Sequence, residues 1–173
     1  FINSFAEFLE EILSLDERIN IVFVPHIYSD MEFNYSVIGK IKDYFRRTRI
    51  TAAPYLTGSN GMALKNIDLY KKCDLVITMR NHAEICPIGM GIPTIGIPTL
   101  EDTVYFLDTV GHTSYVMVNQ KGYKDKLMKL FLEMKKEGKE GKKKREQIID
   151  LLDKRMKYAS SRFEEWFLGI SKY

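Results

Sequence analysis

The chain has 173 residues, 45% of them hydrophobic and 28% charged, with a formal net charge of +3. That is enough for one domain with a real core, and it excludes a disordered tail; no run of about 18 apolar residues and no N-terminal signal pattern is present. The charge is too small to argue for nucleic acid. The two cysteines, Cys73 and Cys86, form neither a CxxC pair nor a ligand cluster, so no metal is expected and a reduced, cytoplasmic setting is the default. The chain begins Phe-Ile-Asn without Met, and we expect it to be a piece of a longer protein.

Residues 2–15 place Ile2, Phe5, Phe8, Leu9, Ile12 and Leu13 at helical spacing, with Glu7, Glu10 and Glu11 on the other side. Residues 19–24 read as a first strand, ended by Pro25-His26. Ser29 or Asp30 then caps a helix running to about Arg47, with Tyr35, Ile38, Ile41 and Phe45 on its apolar side. Residues 49–53 are a weaker second strand, closed by Pro54. Thr57-Gly-Ser-Asn-Gly61 is a turn-rich helix entry, with Ser59 or Asn60 as cap. It fits neither GxGxxG nor the phosphate-binding P-loop, so no cofactor fingerprint is present.

The third helix leads into the central stretch. Leu75 to Thr78 is a short apolar strand, after which Arg80, His82 and Glu84 crowd the start of a helix. Gly91 caps that helix, Pro93 stops it, and residues 94–97 form a fourth strand. A fourth helix follows to about Thr109, then Gly111, then a fifth strand over residues 115–118. Five strands alternating with helices predict a three-layer parallel sheet of order 2-1-3-4-5, numbered as the strands appear, with helices on both faces. Residues 1–120 would form this Rossmann-like unit, and residues 121–173 a helical extension packed on the same domain. Its helices span residues 124–136 and 142–158, joined at Glu137-Gly-Lys-Glu-Gly141, with a last piece around Trp166.

In that strand order the loops after strands one and three meet. His26, Asp30, Arg80, His82 and Glu84 are then expected to share one crevice. Arg80 offers a planar fork of donors suited to a phosphate or carboxylate. His82, at a helix start, can donate to the same anion or act as a general acid, and the helix N-terminus adds free N–H groups. Glu84 reads either as a ligand or as an acid favoured by the helix dipole. His26 reads either as a ligand or as a structural hydrogen-bonder. His112, after Gly111 at a helix end, reads as structural. Basic residues exceed acidic ones by about seven over residues 121–157. That run is a solvated helix face or a site of peripheral contact with anionic lipid or a charged saccharide.

Met79-Arg-Asn-His-Ala-Glu84 followed by Gly91-Ile-Pro-Thr-Ile-Gly-Ile97 resembles the polysaccharide pyruvyl transferase family, and Ile21-Val-Phe-Val-Pro25-His26 also resembles that family's first strand in its C-terminal half. The resemblance covers about residues 19–118. It departs from the family at Asn81, where Leu is usual, and after the fourth strand, where an aromatic residue and a Lys are usual. It implies the C-terminal, Rossmann-type half of a GT-B enzyme, with the N-terminal domain missing. The family moves the pyruvyl group of phosphoenolpyruvate onto a sugar hydroxyl of a cell-surface polysaccharide or its lipid-linked precursor. The resemblance implies that Arg80 holds the donor's phosphate or carboxylate and that His82 is the acid. The competing expectations are a nucleotide-sugar-binding half, with Glu84 on the ribose, and a non-catalytic interaction module.

Overall fold

A computed structural model describes residues 1–55 and 62–170. The elements run α1 (Ile2–Leu15), β1 (Ile21–Phe23), α2 (Tyr28–Ile38), α3 (Asp43–Thr48), β2 (Ile50–Ala52), α4 (Met62–Tyr70), β3 (Val76–Thr78), α5 (Asn81–Gly89), β4 (Thr94–Gly96), α6 (Glu101–Thr109), α7 (Tyr123–Lys136) and α8 (Lys139–Ile170). The expected turn at residues 57–61, with its Ser59 or Asn60 cap, lies outside the described residues.

The five-stranded, three-layer sheet is corrected by the structure, and the Rossmann-type half goes with it. The chain is mostly helical, with two separate two-stranded parallel sheets, β1 beside β2 and β3 beside β4. Among the described residues no ladder joins β1 to β3. Tyr115, in the expected fifth strand, makes one parallel bridge to Gly96. A parallel sheet needs strands covered on both faces. Only β4 is buried along its whole length; Val22 of β1 and Thr51 and Ala52 of β2 are exposed. The fifth strand stops after its bridge because the chain turns at once, with the Gln120 N–H donating to the Met117 carbonyl at 3.0 Å.

Two helical boundaries also move. The expected helix from Asp30 to Arg47 breaks at Gly39 into α2 and α3. The two last helical pieces fuse into α8, 32 residues long, because residues 158–162 contain neither Gly nor Pro and nothing there ends a helix.

The core lies between the strands and a layer made by α1 and α7. Phe5, Phe8, Leu9 and Ile12 of α1 pack with Ile95, Ile97 and Val116, and with Leu127 and Phe131 of α7. Phe8 meets Phe131 edge to face, ring centroids 6.2 Å apart. Partly buried residues of both sheets, Ile21, Ile50 and Ile77, pack against this same cluster, so one core serves both. A smaller cluster of Tyr70, Val76 and Ala83 lies between β3 and the α4–α5 pair.

Arg49 closes the end of α1. Its Nε donates to the Ile19 carbonyl at 2.6 Å, and its Nη2 to the Leu13 and Asp16 carbonyls at 2.9 and 2.7 Å. A guanidinium here satisfies carbonyls that the helix terminus leaves free and suits the negative end of the helix dipole. Arg49→Ala should lower unfolding free energy by about 2–3 kcal/mol, since charged hydrogen bonds are each worth about 1.5–3 kcal/mol and are not additive. Urea titration reads this directly; a loss under about 0.5 kcal/mol would count against the staple.

Candidate functional site

Arg80 is the residue before α5, with extended backbone (φ −103°, ψ 134°). Its N–H donates to Thr78 Oγ1 at 3.2 Å, which sets the direction in which the chain leaves β3. The side chain crosses to Asp30 at the start of α2, where Nε and Nη2 reach Oδ1 at 3.0 and 2.5 Å. The other oxygen of Asp30 accepts the N–H groups of His26 and Ile27 at 2.9 and 3.1 Å. One carboxylate thus caps its own helix and ties the loop after β1 to the loop after β3. Burial pushes the Asp30 carboxyl upward, but the Arg80 guanidinium and the two N–H groups outweigh it and hold it below the usual range.

His26 faces inward from the same loop. Its ring stacks on Tyr70 with 6.0 Å between centroids, and its Nε2 is hydrogen-bonded to the Tyr70 hydroxyl. Burial lowers the His26 pKa; Asp30 opposes this, while Arg80 and His82 reinforce it. Burial raises the Tyr70 pKa, helped by Cys86, Cys73 and Asp30. Both shifts favour the neutral forms of the pair, imidazole and phenol. His82 is exposed in the first turn of α5, near enough for its charge to bear on His26.

His26, Asp30, Arg80 and His82 therefore come together at the ends of β1 and β3, although those strands do not pair. Glu84 does not join them. It turns inward, is 0% exposed, and neither of its oxygens has a hydrogen-bond partner. It lies against Gly96, where an added Cβ would stand 2.6 Å from its Oε1. Burial pushes its carboxyl up to about 8, and the Ile97 N–H offsets this only in part, being already bonded to the Thr78 carbonyl at 2.7 Å. His112 is also buried. Burial lowers its pKa, and its Nε2 is buried without a partner; the residue lines a cavity of about 60 Å³ together with Glu137 and Arg145.

Sequence reasoning missed Tyr70, Thr78 and the depth of Glu84. No spacing marks Tyr70, since it is the last residue of a helix reaching a partner 44 positions away. Chemically, the cluster presents a half-exposed guanidinium with donors to spare, an exposed imidazole and the first-turn N–H groups of α5. Among the described residues no three His, Cys, Asp or Glu side chains are grouped as metal ligands, and no helix is long and apolar enough to cross a membrane. No family model, no curated protein and no solved structure matches the chain.

Proposed function

We propose that the Arg80–His82 cluster binds the phosphate or carboxylate of a small anionic donor of the phosphoenolpyruvate type. On this reading the chain is part of a pyruvyl transferase-like enzyme acting on a sugar hydroxyl of a polysaccharide precursor. The observation that carries it is the state of Arg80. Its side chain is 48% exposed and oriented by two bonds to Asp30 from Nε and Nη2, so Nη1 is not used in that pair, and His82 two residues on is exposed. An orienting carboxylate behind a guanidinium is how a fork of donors is held ready for an incoming dianion. The reading rests on this local arrangement and the sequence motif, and requires no GT-B half. The nucleotide-sugar alternative loses its ribose ligand, because Glu84 is enclosed.

One observation favours a second reading, a non-catalytic interaction module: Asp30 already neutralises Arg80. The two separate in calorimetric titration with phosphoenolpyruvate, with nucleotide-sugars run in parallel. The donor reading expects weak phosphoenolpyruvate binding that Arg80→Ala reduces at least about tenfold, the loss of one charged bidentate contact. Asp30→Asn, which frees the guanidinium of its competitor, should bind no more weakly than the parent. No phosphoenolpyruvate binding by the parent chain would remove the transferase reading and leave the module.

A further inference from the structure

The Arg80 cluster straddles two units that no strand ladder joins, since β1 pairs with β2 and β3 with β4. Two of the described side-chain contacts cross the gap there. One is the Asp30–Arg80 ion pair, half-exposed on the arginine side. The other is His26 against Tyr70, which is buried. Tyr70 ends α4 and shares a cluster with Val76 of β3 and Ala83 of α5, so its ring belongs to the unit that carries Arg80. On the other side of the gap, Ile27, Tyr28 and Ser29 are exposed, and the Tyr28 ring leans on Tyr55, just after β2. That leaves His26, besides Asp30, to tie the loop after β1 to the β3–α5 unit.

We infer that Tyr70 is a positioning residue for Arg80, holding the loop after β1 at the angle from which Asp30 aims the guanidinium. Its part in binding rests on the reading that Arg80 receives an anion. The connection is continuous. The Tyr70 hydroxyl is bonded to His26 Nε2, the His26 backbone N–H donates to Asp30 Oδ2 at 2.9 Å, and Asp30 Oδ1 accepts from Arg80 Nε and Nη2 at 3.0 and 2.5 Å. The two rings lie 18° from parallel with centroids 6.0 Å apart, a contact that sets their separation but little else. The hydroxyl adds direction, because a hydrogen bond weakens steeply when misaligned. It also gives an inward-turned ring nitrogen a partner, and burying that nitrogen unpaired is costly.

A second tie matters because the first is contested. An anion that engages Arg80 draws on the same guanidinium that Asp30 holds, and so weakens the ion pair. With that pair alone, the loop would pivot as the anion arrived. With Tyr70 in place, His26 keeps its N–H on Asp30 Oδ2, and the carboxylate stays behind the guanidinium while the anion is in front of it. Arg49 offers an internal comparison. Its Nε donates to the Ile19 carbonyl at 2.6 Å, in a network at the end of α1 that does not include Tyr70.

Proton exchange at the arginine Nε–H groups, read by NMR on the intact isotope-labelled chain, tests this. The Arg80 signal is the one lost in Arg80→Ala. In Tyr70→Phe, with helical circular dichroism retained, it should exchange about three- to tenfold faster, the factor that one net hydrogen bond supplies, while the Arg49 signal is unchanged. His26→Phe cuts the same link from the other side while keeping a ring on Tyr70. It should give the same change, and the two substitutions together should do no more than either alone. Phosphoenolpyruvate affinity should fall by a similar factor in Tyr70→Phe. An Arg80 rate that neither substitution moves overturns the inference. So does equal acceleration at Arg49, which marks general loosening, or phosphoenolpyruvate binding that Tyr70→Phe leaves unchanged. A parent chain that binds no phosphoenolpyruvate ends the donor reading alone, and the exchange rates still decide the role of Tyr70.

Discussion

Raising the pH from about 4.5 to about 8 should destabilise the fold by on the order of 4 kcal/mol through one residue, Glu84. Its carboxyl is enclosed beneath α5 and has no hydrogen-bond partner. Burial penalises the charged form alone, so the folded chain keeps a proton that the unfolded chain releases near 4.5. Between the two values the native state binds more protons than the unfolded state, and stability falls with rising pH. Below the window the penalty is absent; above it the penalty is complete. His26 and His112, held neutral by burial, act the other way as pH falls through about 6.5. The diagnostic quantity is therefore the difference between the parent chain and Glu84→Gln, each unfolded in urea across the window. The Gln chain should lack the Glu84 contribution and be the more stable of the two above about 8. Parallel pH profiles would mean that Glu84 finds a partner or water that this arrangement does not provide.

Gly96→Ala should cost about 3 kcal/mol or more, at the upper end of what overpacking a core does. Gly96 is the last residue of β4, bonded on both sides: its N–H donates to the Ser114 carbonyl at 3.0 Å, and its carbonyl accepts the Val116 N–H at 2.9 Å. The backbone is therefore pinned. A methyl group there would stand 2.6 Å from Glu84 Oε1 and 3.2 Å from the Tyr115 Cβ. The two positions are coupled, since the glycine makes the hole that the carboxyl occupies. Shortening the acid should relieve part of the clash, so Glu84→Ala with Gly96→Ala should be less destabilised than the sum of the single changes. Full additivity in that double-mutant cycle would show that the clash lies with Tyr115 instead.

Several features were legible because short-range chemistry governs them. Helix α1 follows from its own periodicity, and the stop after α5 from Gly91, at φ 71°, and Pro93. The placement of Arg80 and His82 where β3 gives way to a helix needed only the change from an apolar run to polar residues. Asp30 was legible as a residue at a helix start, although the helix begins earlier, with Ile27 at the cap and Asp30 in the first turn; its bond to Arg80 was not legible, because 50 residues separate the pair.

By itself, then, the sequence determined part of the local structure: helix α1, the stop after α5, which faces are apolar, and which charges sit at strand ends. The tertiary structure alone decided how the strands associate, because pairing depends on what covers each strand and not on its own residues. Three-residue strands with exposed positions in β1 and β2 close into two pairs instead of one sheet. It also decided the fate of the buried acids and bases. Glu84 and His82 stand two positions apart on one helix, yet one is enclosed and the other faces water, because successive residues of a helix point in different directions and only the packed structure says which direction is the core.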